Sequence, residues 1–510
     1  MDNIYNGFTF VKALSLNNPT GTIKNQDKED NKVEEKPFSH AVVEFRTVHK
    51  TYNGSFGFDW YRKKDNGQSY GITYKYFIKS GYKDGRTNLK TDEAINRFLD
   101  MYEEIPINLP SRKSQKEREL KNYQVPYLSM FSKETVEAMK LPKDIIQPQF
   151  STTLCAIVEI VRNSVLEFEY DTTLFEVTPK MLADKSAEKE IRQSKTAEIT
   201  ITCKKDLDSN KEIKIYAYPQ DKKYKRSLAG KITVLQNDEK VRKNVNFALV
   251  NVKTKIKEEL PFNTGKIEPE EINTLRKAMY QCLIVPNISE ASVLDLANNE
   301  YFKIKKDISG NYTYGKYIYH KTVTTVKWTD SGIFHTLDYN DCQDYVKKLY
   351  ISENQDYLKN TFYKNTKEQV DEKYLNENTF TVFAFQEDSF KTYRSSSFFD
   401  NHAIEGEVKG IGENTAMLFN SLHSTKRQDE TSLAHEVLHG LGVYHTHKDE
   451  DPIPNPKILC TFEEKSTDNY MSYRAVDPSG TIQGEERETL WRWQWKIANM
   501  NIPGIENDPK

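Results

Sequence analysis

The 510-residue sequence predicts a multidomain protein in which β-rich modules occupy the N-terminal half and an α+β domain follows. Three observations predict it. A chain of this length outgrows one hydrophobic core and is expected to split into roughly two to four units. Its texture changes twice: aromatic and β-branched alternation gives way to short regular runs near residue 150, and these to mixed helix and strand patterns near residue 265. Hydrophobic residues reach 37% and aromatics 12% beside 29% charged residues, enough to build cores and to exclude pervasive disorder.

The elements follow in chain order. Residues 1–37 read as an N-terminal segment ending in the polar, highly charged linker NNPTGTIKNQDKEDNKVEEKP. Residues 38–145 read as a β-rich accessory module, with Asn-Gly pairs at 53–54 and 66–67 as hairpin turns. Within it, TDEAINRFLDMYEEI (91–105) has helical spacing, with Thr91 or Asp92 as N-cap. Residues 146–260 carry five alternating runs, at 165–170, 197–203, 211–218, 230–235 and 244–256. They predict an antiparallel sandwich resembling an immunoglobulin-type module, without that fold's Cys and Trp landmarks. Such a module binds or spaces, and no catalytic constellation is visible in it. Residues 261–510 form the α+β unit, with a helix over 268–284, a strand over 379–386 and a helix over 431–441.

Charge excludes some partners. The 73 basic and 75 acidic side chains nearly cancel, which removes any global attraction to nucleic acid or an anionic membrane. The longest apolar run, TLCAIVEIV (153–161), is too short for a bilayer and is broken by Glu159, so no membrane span is expected. The start MDNIYNGFTFVKAL lacks a basic stretch followed by an apolar one, and no export signal is read there. The five cysteines have no CxxC spacing and read as buried or reduced thiols.

Four of the ten histidines lie in AHEVLHGLGVYHTH (434–447). On a helix His435 and His439 share a face one turn apart, while Leu433, Ala434, Val437 and Leu441 form an apolar back. Glu436, one step round, is placed to hold a water beside an ion bound there, the position of a general base. Gly442 can end the helix in the left-handed conformation and swing His445 to the same ion. Three neutral imidazoles plus one water are the arrangement of catalytic zinc. The five fixed residues would arise by composition in a chain this long with odds of roughly one in 10⁵. His40, His49, His320, His335, His402, His423 and His447 carry no such pattern and read as ordinary core or surface groups.

The pattern H-E-x-x-H-x-x-G-x-x-H, with Met471 following in DNYMSY (468–473), resembles the metzincin zinc metallopeptidases such as astacins, serralysins and matrixins. The resemblance is strong over 431–473, loose over 265–500 and absent from the first half. It implies Zn2+ on His435, His439 and His445, with Glu436 as catalytic base. It also implies Met471 as an apolar floor beneath the ligands, and Tyr473 as a phenol that can approach the zinc and the transition-state oxyanion. Thr446, after the third histidine, is closer to matrixins than to astacins or serralysins, and the matrixin site need not have a tyrosine at the Tyr473 position. Metzincins lay an extended peptide antiparallel to an edge strand ahead of the active-site helix, and GIGENTAMLFNS (410–421) is the segment suitably placed. ERETLWRWQWKIAN (486–499) then reads as a helix under the Met-turn. The acidic Asp449, Glu450 and Asp451 read as a solvated loop in preference to a calcium site.

The expected function is a zinc-dependent endopeptidase in which Glu436 assists attack of a zinc-activated water on a peptide bond. Two readings compete with it: a zinc amidase acting on cell-wall peptides, and a catalytically inactive binding protein, against which the intact Glu436 argues. The implied partners are a protein or peptide substrate, together with a secretion machine or an inhibitor protein. Metzincins act outside the cytoplasm, so the expected place is extracellular, or another cell reached without a signal peptide, with the producer's cytoplasm left open. FRTVHKTYNGSFGFDWYR (45–62) faintly resembles N-terminal modules of bacterial proteins associated with contractile secretion, which would make the chain an exported effector or toxin.

Overall fold

Strict alternation along Ser151–Val161 buries Thr152, Leu154, Ala156, Val158 and Ile160 and turns their neighbours outward, as a pleated strand facing one core requires. The computed structural model of the chain describes residues 39–500 apart from 49–51, 62–77, 84–86, 111–117, 162–163, 184–191, 220–221, 319–338, 395–398, 420–429, 448–460, 477–481, 484–486 and positions 290, 368, 388, 464 and 474. These residues belong to a compact unit spanning 38–505. The second unit, 1–37 with 506–510, lies outside them and takes the predicted linker with it.

Two sheets make a sandwich. Their strands are β1 (Ala41–Thr47), β2 (Gly57–Asp59), β3 (Tyr127–Ser129), β4 (Ser151–Val161), β5 (Ser164–Glu169), β6 (Phe175–Thr178), β7 (Met181–Ala183), β8 (Arg192–Cys203), β9 (Lys211–Pro219) and β10 (Ser227–Val234). The orders are β1-β4-β8-β6 and β7-β5-β9-β10-β3-β2. One core fills the space between, with Phe45, Leu154 and Ile199 from the first sheet against Phe58, Phe168, Ile215 and Ile232 from the second. The runs predicted at 165–170, 197–203, 211–218 and 230–235 are strands here. The boundary predicted at 145/146 is crossed, because β1 pairs with β4 from Ala41 opposite Ile160 to Thr47 opposite Leu154, and β3 lies parallel to β10. Asn53-Gly54 is accordingly not a hairpin. The Asn53 carboxamide accepts the Ser55 N–H (3.0 Å), and the chain passes there from one sheet to the other. The second Asn-Gly, at 66–67, lies outside the described residues.

A further sheet contains β11 (Lys243–Thr254), β12 (Asn263–Thr264), β13 (Ile284–Ile288), β14 (Ser292–Asp295), β15 (Thr379–Phe385), β16 (Gly406–Val408) and β17 (Thr415–Phe419). Its order is β12-β11-β15-β17-β16, with β13 and β14 also on β11. β11, β15 and β17 are parallel, and β16 closes the edge antiparallel to β17. Eight helices occur among the described residues: α1 (Thr91–Leu99), α2 (Lys133–Met139), α3 (Pro269–Gln281), α4 (Tyr339–Glu353), α5 (Gln355–Phe362), α6 (Glu372–Asn378), α7 (Ser432–Gly440) and α8 (Arg492–Met500). One sheet face, with Phe247, Leu249, Phe380, Val382 and Leu418, shares a core with α1, α3, α7 and α8. The other, with Val250, Phe383, Phe385, Met417 and Phe419, packs on α4, α5 and α6.

Three predictions change here. The run 244–256 is β11 of this sheet and not a sandwich strand, so the boundary at 260/261 also falls inside a sheet; its consecutive buried residues Phe247–Val250 mark a strand covered on both faces. The helix read over 91–105 stops at Leu99 with Lys90 as N-cap, and Glu104–Pro110 instead pairs with Arg118–Gln124. Pro106 biases Ile105 toward extended backbone. The segment 410–421 supplies β17, buried at every position and interior; the edge is β16. Residues 486–499 do contain a helix, α8. Cys203, Cys282 and Cys342 are buried free thiols, Cys155 is half-buried on β4, and Cys460 lies outside the described residues. No helix among the described residues is long and apolar enough to cross a membrane.

Candidate metal centre

The centre begins with the way α7 is laid on the sheet. Leu433, Ala434, Val437 and Leu438 are fully buried against the core, which turns the His435–His439 face away from the sheet. The helix then ends in a Schellman turn: Gly442 N–H donates to the His439 carbonyl and Val443 N–H to the Leu438 carbonyl, both at 2.9 Å. This turn needs a left-handed residue, and Gly442 supplies it at φ +87°. The reversal carries His445 back over the helix.

His435, His439 and His445 meet. The Nε2 of His445 is 3.0 Å from the Nε2 of His435 and 3.0 Å from that of His439, and the three ligand atoms lie within 4.8 Å of one another. His435 Nδ1 is 2.8 Å from the Tyr470 carbonyl and His439 Nδ1 2.8 Å from the Val443 carbonyl. A carbonyl only accepts, so these Nδ1 atoms carry the protons and the Nε2 atoms present lone pairs. Burial and the neighbouring His439, His445 and Arg487 hold the His435 pKa well below its ordinary value, keeping the ring neutral. Lone pairs converging in this way suit a shared cation. Tetrahedral zinc with Zn–N of about 2.0–2.1 Å would set its nitrogens about 3.3 Å apart, close to the spacing present. The buried three-histidine group could therefore bind a metal.

Of the other predicted residues, the Tyr473 ring lies against the histidines, while Glu436 and Met471 are buried in the elements that carry them. Glu436 is buried, and its side chain lies against Gly406 of β16, where an added Cβ would sit 2.6 Å from the Glu436 Cγ. Burial, then Glu407 and Glu405, push its pKa well above the usual carboxylate range against the pull of Arg487. Met471 is fully buried, and its carbonyl accepts the Thr446 N–H (3.0 Å), tying its turn to the residue after His445. Tyr473 is 40% exposed, with its ring 4.9 Å from that of His445 and 5.9 Å from that of His435.

Four groups here were not singled out from sequence. His447 stacks on His445 at 4.8 Å and 24°. Arg487 donates to the Ser472 carbonyl (2.9 Å). Glu405, just ahead of β16, accepts from the Ser432 hydroxyl (2.9 Å), and Glu407 lies in β16. Only His447 had a local signal, its spacing two residues beyond the third ligand. Asp449, Glu450 and Asp451 lie outside the described residues. No protein-family model matches the sequence, and no curated protein matches it. The reading of the site therefore rests on its own geometry.

Proposed function

We propose that the chain is a zinc-dependent endopeptidase of the metzincin kind, on the observation that three imidazole Nε2 atoms converge while Glu436, next to His435 on α7, is a buried carboxylate. The all-nitrogen, neutral donor set suits zinc over calcium or magnesium. Two further features support the reading. Met471 lies buried in a turn bonded to Thr446. β16, antiparallel at the edge of a mostly parallel sheet, offers the strand on which metzincins lay an extended peptide, with Gly406–Val408 in the role predicted for 410–421.

Held by His435, His439 and His445, zinc would polarise the scissile carbonyl and bring the pKa of a water toward neutrality. Glu436 accepts the proton of the attacking water. Its burial among acidic neighbours raises its hold on that proton, which it then delivers to the leaving amine. The carbonyls of Tyr470 and Val443 fix the orientation of two ligand rings. The Tyr473 phenol donates a hydrogen bond to the oxyanion as it develops.

The test is digestion of a diverse peptide and protein mixture by zinc-loaded protein, read by mass spectrometry beside Glu436→Ala. The expected result is cleavage by the parent, a loss of about 10²–10⁴-fold in the variant, and one zinc per chain in both. Failure to bind zinc overturns the proposal. One bound zinc without cleavage would turn attention to a non-protein amide such as a cell-wall peptide.

A further inference from the structure

We infer that His447 is a positioning residue that holds the Tyr473 phenol at the three-histidine centre, an inference resting on the proposed role of Tyr473. His447 is only 4% exposed although it stands just beyond the last ligand. Its ring stacks on His445 at 4.8 Å and meets the Tyr473 ring at 4.6 Å and 55°. Tyr473 in turn touches His445 at 4.9 Å. The three rings thus form a closed triangle in which His447 occupies the corner that is neither ligand nor oxyanion donor.

The corner is rigid from behind. Thr446 N–H donates to the Met471 carbonyl (3.0 Å), and the Thr446 carbonyl accepts the Phe462 N–H (2.7 Å). His447 continues this pairing as a parallel bridge to Phe462. The Phe462 ring is seated on Trp491 (4.6 Å) and Phe98 (5.8 Å) in the main core. The His447 ring therefore projects from backbone held on both sides, whereas Tyr473 is 40% exposed. A phenol that must meet an oxyanion loses effectiveness with each rotamer it explores, and a flat ring packed on its flank removes some of them.

The experiment compares the full chain with His447→Ala, His447→Phe, Tyr473→Phe and the double variant His447→Ala/Tyr473→Phe. Three quantities are measured: zinc per chain, the ring NMR signals of Tyr473 (assigned as those lost in Tyr473→Phe), and kcat with KM. In His447→Ala one zinc should remain, the Tyr473 ring signals should move to positions typical of an exposed tyrosine, and kcat should fall about tenfold or more with KM within about threefold. His447→Phe keeps a flat ring and should restore most of kcat and the ring signals. The double variant should be no slower than Tyr473→Phe alone, because both changes remove one interaction.

Unmoved Tyr473 signals in His447→Ala overturn the inference, as does an additive double variant. Loss of zinc overturns it too, by placing the effect on His445. If His447→Ala does not fold, His447→Phe against His447→Asn carries the same comparison, the ring retained in one and lost in the other. If the parent cleaves no peptide, that failure falls on the proposed function, and the zinc and NMR readings still decide the role of His447.

Discussion

Gly442 stands at φ +87°, a conformation that costs a residue with a Cβ about 1–2 kcal/mol, and the turn it permits is what brings His445 to the other two histidines. Gly442→Ala is expected to lose about that much stability in urea denaturation and to weaken zinc binding about tenfold or more. Unchanged affinity would mean that another part of the turn delivers His445. Gly406 makes a different demand. A Cβ there would sit 2.6 Å from the Glu436 Cγ, so Gly406→Ala must displace either β16 or the carboxylate. We expect zinc to be retained and kcat to drop at least tenfold; an unaltered kcat would show that the strand yields without moving Glu436. The two glycines also mark what could be read from sequence at this scale. Gly442 was legible because its partners are a few positions away on one helix. Gly406 was not, because its meaning depends on Glu436 arriving from thirty positions later by way of the sheet.

At the scale of elements, the turn around Met471 is clamped to α8. Asn469 Nδ2 donates to Gln494 Oε1 (2.7 Å), Gln494 Nε2 donates back to Asn469 Oδ1 (3.1 Å), and these oxygens also accept the Trp491 and Met471 N–H groups. Both amides are fully buried. Gln494→Leu strands the Asn469 carboxamide and should cost about 2 kcal/mol in denaturant melts; a neutral effect would mean that water replaces the clamp. On the opposite sheet face, Lys347 of α4 is 4% exposed and donates to the Asn414 carbonyl (3.2 Å) and side-chain oxygen (2.5 Å). Burial, aided by Lys409, lowers its pKa to about 7 against the pull of Glu413 and Asp344. Above that value the folded chain has released a proton that the unfolded chain keeps until near 10.4. Stability should therefore rise with pH across this window, by at most about 1.4 kcal/mol per unit from this group. Lys347→Met removes the dependence, so its advantage over the parent at pH 7 should shrink as pH approaches 10. Parallel stability curves for parent and variant would refute the buried neutral lysine. Elements whose pattern is local, such as α3, read over 268–284 and observed as Pro269–Gln281, are legible in the sequence, apart from the C-terminal end, where the strand β13 begins at Ile284. The interior place of β17 and the end of α1 are not, since neighbouring strands decide them.

For the whole molecule, the texture changes along the chain revealed a sandwich and a second sheet but misplaced the seams, because strand partners lie far apart in sequence. β1 finds β4 more than a hundred residues later, and β11, read as the sandwich's last strand, is the one on which β12, β13, β14 and β15 pair. The two halves are also bolted together by buried polar groups. Gln281 donates to the carbonyls of Gly54 (2.9 Å) and Glu488 (2.8 Å) and accepts the Leu490 N–H (2.9 Å). Asp59 of β2 accepts from the Tyr102 hydroxyl (2.6 Å) and from the N–H of Arg492 at the start of α8 (3.0 Å). An added Cβ on Gly57 would sit 2.5 Å from the Trp495 ring, so β2 and α8 are in direct contact. The loop and strand of residues 53–59 thus support the segment whose Tyr470 carbonyl orients His435. A fragment beginning at residue 261 would lack β11 and this support, and we expect it to be insoluble or to bind no zinc, whereas the full chain unfolds in one cooperative calorimetric transition that zinc shifts upward. A soluble, zinc-binding 261–510 fragment, or two separate transitions of which zinc moves one, would instead establish the histidine half as a domain that folds alone, with the sandwich as its passenger.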